Sequence, residues 1–274
     1  MKGIAFGQYY PSNSILHRLD PRIKIVITVL YIVSTFLCKN VLSFALLLLS
    51  SIVIVALGKI PLKLVIRSIR PVLFILAFTA ALNVFWTVGE GEPLFSKWII
   101  VIYKEGIYNA VFIMTRIIAL IIGTSMLLTY TTTPIALTDA IEDLLSPLKR
   151  LRVPVHEFAM MMTIALRFIP TLIEETDKIM TAQKARGADF SSGSLVQRAK
   201  ALIPVLIPLF VSAFNRASDL ATAMECRCYH GGEGRTRMTV RHIRFTDIAY
   251  LIAFVLFGAS LVGLNILDIG FTMR

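Results

Sequence analysis

Two arginines stand between small residues at what reads as the ends of long helices: Ala185-Arg186-Gly187 and Cys226-Arg227-Cys228. They lie 227 − 186 = 41 positions apart. A guanidinium is planar, always charged, and donates from a rigid fork, so it suits a carboxylate or a row of backbone carbonyls. Small neighbours strip bulk from a helix tip and let it enter a groove. A single arginine in a last turn is already explained by the helix dipole, worth roughly 0.3–1 kcal/mol. Two such tips on one chain point further, to two similar sockets such as a pair of related partner subunits would offer.

Other candidate chemistry is thin. Cys226, Cys228 and His230 look like part of a zinc site, but a structural site takes four ligands and no fourth stands nearby. The run Gly231-Gly232-Glu233-Gly234-Arg235-Thr236 lacks the phosphate-loop pattern, which occurs nowhere in the chain, so nucleotide chemistry must reside in a partner. His17, His156 and His242 form no constellation with a nucleophile or metal spacing. Paired acids, a Ser/His pair or metal ligands at membrane depth are missing too, which argues against an enzyme, an intramembrane one included. Arg116 sits inside an apolar run, where an ionisable residue is a functional candidate by default. The structural alternative has it facing the bundle interior, paired with backbone carbonyls or a polar side chain such as Asn83. Met160-Met161-Met162, with Met180 and Met224, suits core packing, and equally a surface that repacks against several partners.

The elements that position these residues belong to a membrane. The 274 residues are 56% hydrophobic and 16% charged, with mean hydropathy +0.75, against about 45–50% and 25% in soluble domains. A spanning helix needs roughly 20 mostly apolar residues. Residues 23–37, 41–57, 69–88, 106–130 and 248–267 supply five, with Pro71 expected in the first turn of the third. The first 22 residues hold no apolar core, so no cleavable signal is expected. The flank before the first span carries Lys2, His17, Arg18, Arg22 and Lys24 against Asp20, and the stretch between spans two and three carries Lys59, Lys63, Arg67 and Arg70. The opposite side balances Lys39, Lys97, Lys104 and Arg274 against Glu90, Glu92, Glu105 and Asp268, 4 − 4 = 0. By the positive-inside rule the N-terminus lies in the cytoplasm and, after five spans, the C-terminus lies outside. Topology thus accounts for the +11 net charge of 28 Lys+Arg against 17 Asp+Glu, and basic patches without interleaved aromatics argue against nucleic acid.

Residues 131–245, with 15 of the 28 basic residues, then lie in the cytoplasm. Thr133-Pro134 opens an amphipathic helix with Leu137, Ile141, Leu144, Leu145 and Leu148 on one side, and Asp139, Glu142 and Asp143 largely on the other. A second helix begins near Pro154 and runs to Arg186, roughly 50 Å, with Gly187 as its stop. A third runs from about Leu195 towards Tyr229. The apolar stretches 158–173, broken by Arg167 and Pro170, and 201–214 are short for a bilayer and suit helices buried on one face or lying at the interface. A hairpin of two further spans is the alternative.

Over essentially its whole length the sequence resembles the transmembrane T component of energy-coupling factor (ECF) transporters, the EcfT/CbiQ family. The likeness rests on Leu16-His17-Arg18-Leu19-Asp20-Pro21-Arg22, on Ala185-Arg186-Gly187, and on Cys226-Arg227-Cys228-Tyr229 leading into the glycine-rich run. Cysteines flank the second arginine where the family has Ala-Arg-Gly; they too are small. The resemblance implies an all-α polytopic protein with about five transmembrane helices and a cytoplasmic coupling module of three helices. Its parts would be residues 1–130 (four spans), 131–245 (the module) and 246–274 (the last span and tail). It further implies a multi-pass protein of the cell membrane in an ABC-type importer of vitamins or similar micronutrients. Two ABC-type ATPases would receive Arg186 and Arg227, and a small membrane S component would bind the substrate. The chain itself would be no enzyme and need no cofactor or metal. A conventional permease with its own substrate path is the competing reading; it would want polar residues converging within the spans, and little beyond Arg116, Asn83 and scattered Ser/Thr is there.

Overall fold

The computed structural model describes residues 9–87, 95–97, 100–190, 192, 194–231 and 243–266. Expectations resting on Lys2, Val88, Glu90, Glu92, the run 232–236, His242, Asp268 and Arg274 fall outside the described residues. By internal contacts the chain forms two compact units, Met1–Ala140 with Arg241–Arg274, and Ile141–Val240. The fold is all-α: among the described residues the only strands are β1 (Phe95–Lys97) and β2 (Ile100–Ile102), an antiparallel ribbon of three-residue strands.

The first unit holds α1 (Ile15–Arg18), α2 (Pro21–Leu37), α3 (Val41–Gly58), α4 (Leu62–Ile69), α5 (Leu73–Trp86), α6 (Lys104–Thr124) and α10 (Phe245–Ile266). The stretch Leu16–Arg22 is a device for turning the chain into the first span. Ser14 caps α1 through the His17 amide, and the His17 ring meets Ser14 Oγ at 2.6 Å and the Tyr10 carbonyl at 2.8 Å. Asp20 then caps α2, accepting from the Arg22 amide at 2.9 Å, with Pro21 at the first helical position where its missing N–H costs nothing. Lys24, expected as a flanking charge, is instead buried. Its ammonium donates to the Thr131 carbonyl at 2.8 Å and Thr132 Oγ1 at 3.3 Å, tying the start of α2 to the chain beyond α6.

Tyr31 is the centre of the packing. It is fully buried, its hydroxyl 2.8 Å from Ser51 Oγ and donating to the Ala119 carbonyl at 3.1 Å. Its ring lies where a Cβ on Gly123 would stand, 2.0 Å from the nearest ring carbon, so only glycine fits there. Just beyond, the ladder of α6 widens into a π-helical segment, Ser125–Thr129, in which the Tyr130 amide donates to the Ser125 carbonyl. Nothing in the periodicity signalled this.

The third span also differs from expectation. Pro71 does not open it: α4 and α5 flank a 3-10 turn, Arg70–Val72, and the helical run extends from Leu62 to Trp86. Proline lacks the N–H and crowds the carbonyl four residues back, so the ladder tightens locally rather than starting anew. Lys63, Arg67 and Arg70 therefore ride on helix rather than on loop.

Among the described residues, six helical runs are long and apolar enough to cross a membrane: Val41–Gly58, Leu62–Trp86, Lys104–Thr129, Val155–Ala185, Val196–Cys226 and Phe245–Ile266. With α2, whose 17 residues sit at the lower limit of spanning length, these include all five expected spans. The other two are the long helices of the second unit, α8 (Val155–Ala185) and α9 (Leu195–Cys226). Both carry proline inside, Pro170 in α8 and Pro204 and Pro208 in α9.

The helix α7 (Pro134–Leu144) forms where Thr133-Pro134 predicted it, Thr133 Oγ1 accepting from the Ala136 amide at 3.3 Å. Its burial does not follow the expected division into an apolar and an acidic side: Ala136 and Ala140 are buried on one face and Thr138 and Glu142 on nearly the opposite one, while Asp139, Ile141, Leu144, Leu145 and Leu148 are exposed. Small side chains allow close approach, and Glu142 is compensated by the His156 ring at 3.0 Å. That hydrogen bond joins α7 to α8, and spacing alone did not reveal it.

Candidate functional site

Both long helices end in the same way. In α8 the Gly187 amide donates to the Lys184 carbonyl and the Ala188 amide to the Gln183 carbonyl, each at 3.0 Å. In α9 the Cys228 amide donates to the Glu225 carbonyl at 2.8 Å and the Tyr229 amide to the Met224 carbonyl at 3.0 Å. Residue for residue this is one Schellman closure used twice, the last carbonyls satisfied by a chain that turns left-handed. Arg186 and Arg227 are the C-cap residues, with φ/ψ of −87°/8° and −94°/16°. The next residue takes the left-handed position, Gly187 at φ 88° and Cys228 at φ 55°.

Ala185, Arg186, Gly187, Cys226, Arg227 and Cys228 are all exposed. Each guanidinium thus leaves a blunt tip, free of bulky neighbours in sequence, at the negative end of a helix dipole. No Cβ contact lies within 4 Å of Gly187, so its requirement is purely one of backbone geometry. At the second tip a cysteine accepts a conformation that costs L-residues roughly 1–2 kcal/mol.

A lock between the two helices went unread in the sequence. Glu175 on α8 accepts from Ser212 Oγ at 2.5 Å and from Arg216 Nη2 at 2.9 Å, both on α9. These hydrogen bonds, Ser212 first, hold the Glu175 carboxyl below the usual glutamate range. Glu175 precedes Arg186 by 186 − 175 = 11 positions, and Arg216 precedes Arg227 by 227 − 216 = 11. From the lock each helix continues the same distance to its tip, about 16 Å at 1.5 Å per residue. The equal offsets were available in the sequence, but they signify only once Glu175 and Arg216 are known to meet.

Of the remaining candidates, Arg116 takes a structural place. Arg116 Nη2 donates to the Cys38 carbonyl at 3.0 Å and its guanidinium sits 5.3 Å from the Phe44 ring centroid. A carbonyl partner was expected; Asn83 is not one, since its amide donates to Thr79 of its own helix. Cys226, Cys228 and His230 are exposed, and among the described residues no three His, Cys, Asp or Glu side chains gather as a metal would need. Met161 and Met162 are exposed on α8.

Residues 12–238 match the family model described as cobalt transport protein, CbiQ. Relatives named "Energy-coupling factor transporter transmembrane protein EcfT" include that of Ruminiclostridium cellulolyticum, 54% identical over 92% of this chain and 92% of its own. That of Clostridium kluyveri is 49% identical over 96% and 97%, and that of Bacillus subtilis 46% over 95% and 98%.

Proposed function

The chain belongs to the CbiQ/EcfT family, as the multi-pass transmembrane component of an energy-coupling factor transporter, and from that membership we propose that its two long helices carry motion from partner ATPases to a substrate-binding S component. The observation that carries the proposal is the duplicated tip: two exposed arginines on two identical helix closures, equally far from one interhelical lock. Two ABC-type ATPases each receive one tip, and each guanidinium seats against a carboxylate or carbonyls in its groove. A rigid helix then moves as a lever when ATP binding and hydrolysis displace the motor.

The S component docks on the apolar residues that α8 and α9 leave outward, among them Phe158, Met161, Phe210 and Phe214, the last two 73% and 67% exposed. Methionine suits a surface that must accept more than one partner. The substrate, a vitamin or similar micronutrient, binds in the S component, and ATP is hydrolysed in the ATPases. The N-terminus and residues 131–245 lie in the cytoplasm, with α8 and α9 lying at the interface rather than spanning. A permease with its own substrate path is not favoured: Arg116 is spent on a helix-end carbonyl and an aromatic face, and the cleft inside the membrane unit has almost wholly apolar walls.

The test is reconstitution of the complete transporter in vesicles with Arg186→Ala and Arg227→Ala, singly and together. Uptake is expected to fall steeply in each and vanish in the double variant, with ATPase subunits lost from the complex or hydrolysing without transport. Undiminished uptake by the double variant would overturn the proposal.

A further inference from the structure

The first unit contains a cleft of about 300 Å³ between α1, α2, α3, the π segment and α10. Its walls are almost entirely apolar, with Leu16 and Leu19 at one end and Leu49, Val53, Leu57 and Phe254 along its length; Ser50, Tyr250 and the stem of Lys24 are the exceptions. A functional pocket for a polar solute would present converging donors and acceptors. This one does not: Ser50 Oγ donates to the Leu47 carbonyl of its own helix, and the Lys24 ammonium is held by Thr131 and Thr132.

The position of the cleft tells what fills it. On α3 its lining runs from Leu57 to Leu46, 57 − 46 = 11 residues or about 16 Å, which is close to half of the ~30 Å hydrocarbon core. It therefore reaches from the ends of the helices to the middle of the membrane, the depth of one leaflet. Leu49, Val53 and Leu57 are exposed, so the cleft opens outward, and at that depth the outside is lipid.

The open end is positively charged. Arg18 closes α1 beside the cleft and Lys59 follows α3 directly; both are exposed. The acids among the described residues at the same helix ends are taken: Asp20 caps α2 and pairs with Arg22 at 3.9 Å, and Asp247 accepts from the Arg244 amide at 2.9 Å. An apolar slot one leaflet deep under free cations matches one amphiphile of the surrounding bilayer. We propose that the cleft holds an acyl chain of an anionic phospholipid, whose phosphate is met by Arg18 and Lys59. This rests on the membrane-spanning character of the unit and not on the coupling role of the arginine tips.

The full chain is reconstituted in phosphatidylcholine vesicles containing a small fraction of phosphatidylglycerol with a diazirine on its acyl chain, and in parallel vesicles with the same label on phosphatidylcholine. After irradiation, adducts are mapped by peptide mass spectrometry. Adducts at Leu49, Val53 and Phe254 are expected several-fold above those at Phe74 and Phe78, which are exposed on α5, and more strongly from the anionic lipid. Filling the cleft with Ser50→Phe removes the cleft adducts and leaves those on α5. Arg18→Gln with Lys59→Gln, both at exposed positions, abolishes the headgroup preference even if the Ser50 variant fails to fold. Equal labelling of cleft and α5, cleft labelling untouched by Ser50→Phe, no headgroup preference in the native chain, or a partner subunit's helix cross-linked at Val53 in the assembled complex would each overturn the assignment.

Discussion

The two arginine tips share a backbone closure but differ at the residue that makes it. Gly187 adopts φ 88° with nothing within 4 Å of a would-be Cβ, so Gly187→Ala costs backbone strain alone. Cys228 already carries that strain at φ 55°. Opposite outcomes follow: Gly187→Ala lowers stability by about 1 kcal/mol, whereas Cys228→Gly raises it by roughly 0.5–1 kcal/mol. Thermal unfolding of the purified protein, followed by loss of helical circular dichroism, checks both signs, and a destabilised Cys228→Gly variant would show that the thiol contributes more than its backbone costs. At the arginines themselves the effect falls on assembly. If each guanidinium is buried against an acid of a partner, truncation to alanine weakens that interface by roughly 2–5 kcal/mol, while the isolated subunit, in which both side chains are exposed, unfolds as before. Equal binding of ATPase subunits to native and Arg186→Ala protein, measured by co-purification in mild detergent, contradicts this. The arginines, their small neighbours and the glycine stop were legible in the sequence because capping is local. Glu175 was not, because its meaning depends on a residue 37 positions away.

At the scale of elements, the pairing of α8 with α9 depends on a carboxylate that must stay ionised. The folded pKa of Glu175 lies below its ordinary value, so its contribution is complete at pH above the usual glutamate range. It begins to fade once the pH enters that range and is gone when the pH has fallen through the lower folded value. Glu175→Gln removes this dependence. The native pair of helices is therefore expected to loosen on acidification, with the Gln variant showing a weaker pairing at neutral pH and little further change; hydrogen exchange of the α8 and α9 amides reads both, and identical pH profiles for the two proteins would deny Glu175 the role. Within the first unit the tight point is Gly123. Tyr31 is pinned by Ser51 and the Ala119 carbonyl, so its ring cannot yield to a methyl group 2.0 Å away. Gly123→Ala should destabilise by about 1–3 kcal/mol or more, as overpacking does; Gly263→Ala, with nothing within 4 Å, serves as the mild control in the same thermal assay. Five spans were legible because apolar length is a strong signal. The 3-10 turn at Arg70–Val72 and the π segment at Ser125–Thr129 were not, since both are resolved by packing rather than composition.

For the whole molecule, charge asymmetry proposes a sense of insertion, whereas the standing of α8 and α9 is left between two readings, and length alone does not separate them: both helices would reach across a bilayer. What separates them is where the connection between them emerges. If they are coupling helices, residues 187–194 are cytoplasmic. If they are a sixth and seventh span, that connection is external, although both termini keep the same sides. Physical chemistry favours the first. Crossing a bilayer would place Arg167 and Pro170 in the interior of α8, and α9 would bring Pro204 and Pro208 there, while the half of α8 beyond Glu174 would carry Glu175, Asp177, Lys178 and Lys184 to the far side. A single exposed cysteine at Ser192→Cys, in a chain with its native cysteines replaced by serine, decides it. A membrane-impermeant maleimide applied to intact cells should leave it unlabelled and react only after permeabilisation, whereas Lys39→Cys, exposed between α2 and α3, should label from outside at once. Labelling of both positions in intact cells would make α8 and α9 spans and remove the arginine tip of α8 from the reach of any cytoplasmic motor; labelling of neither, with Ser192→Cys reactive after permeabilisation, would move the chain between α2 and α3 off the outer face and with it the five-span insertion itself.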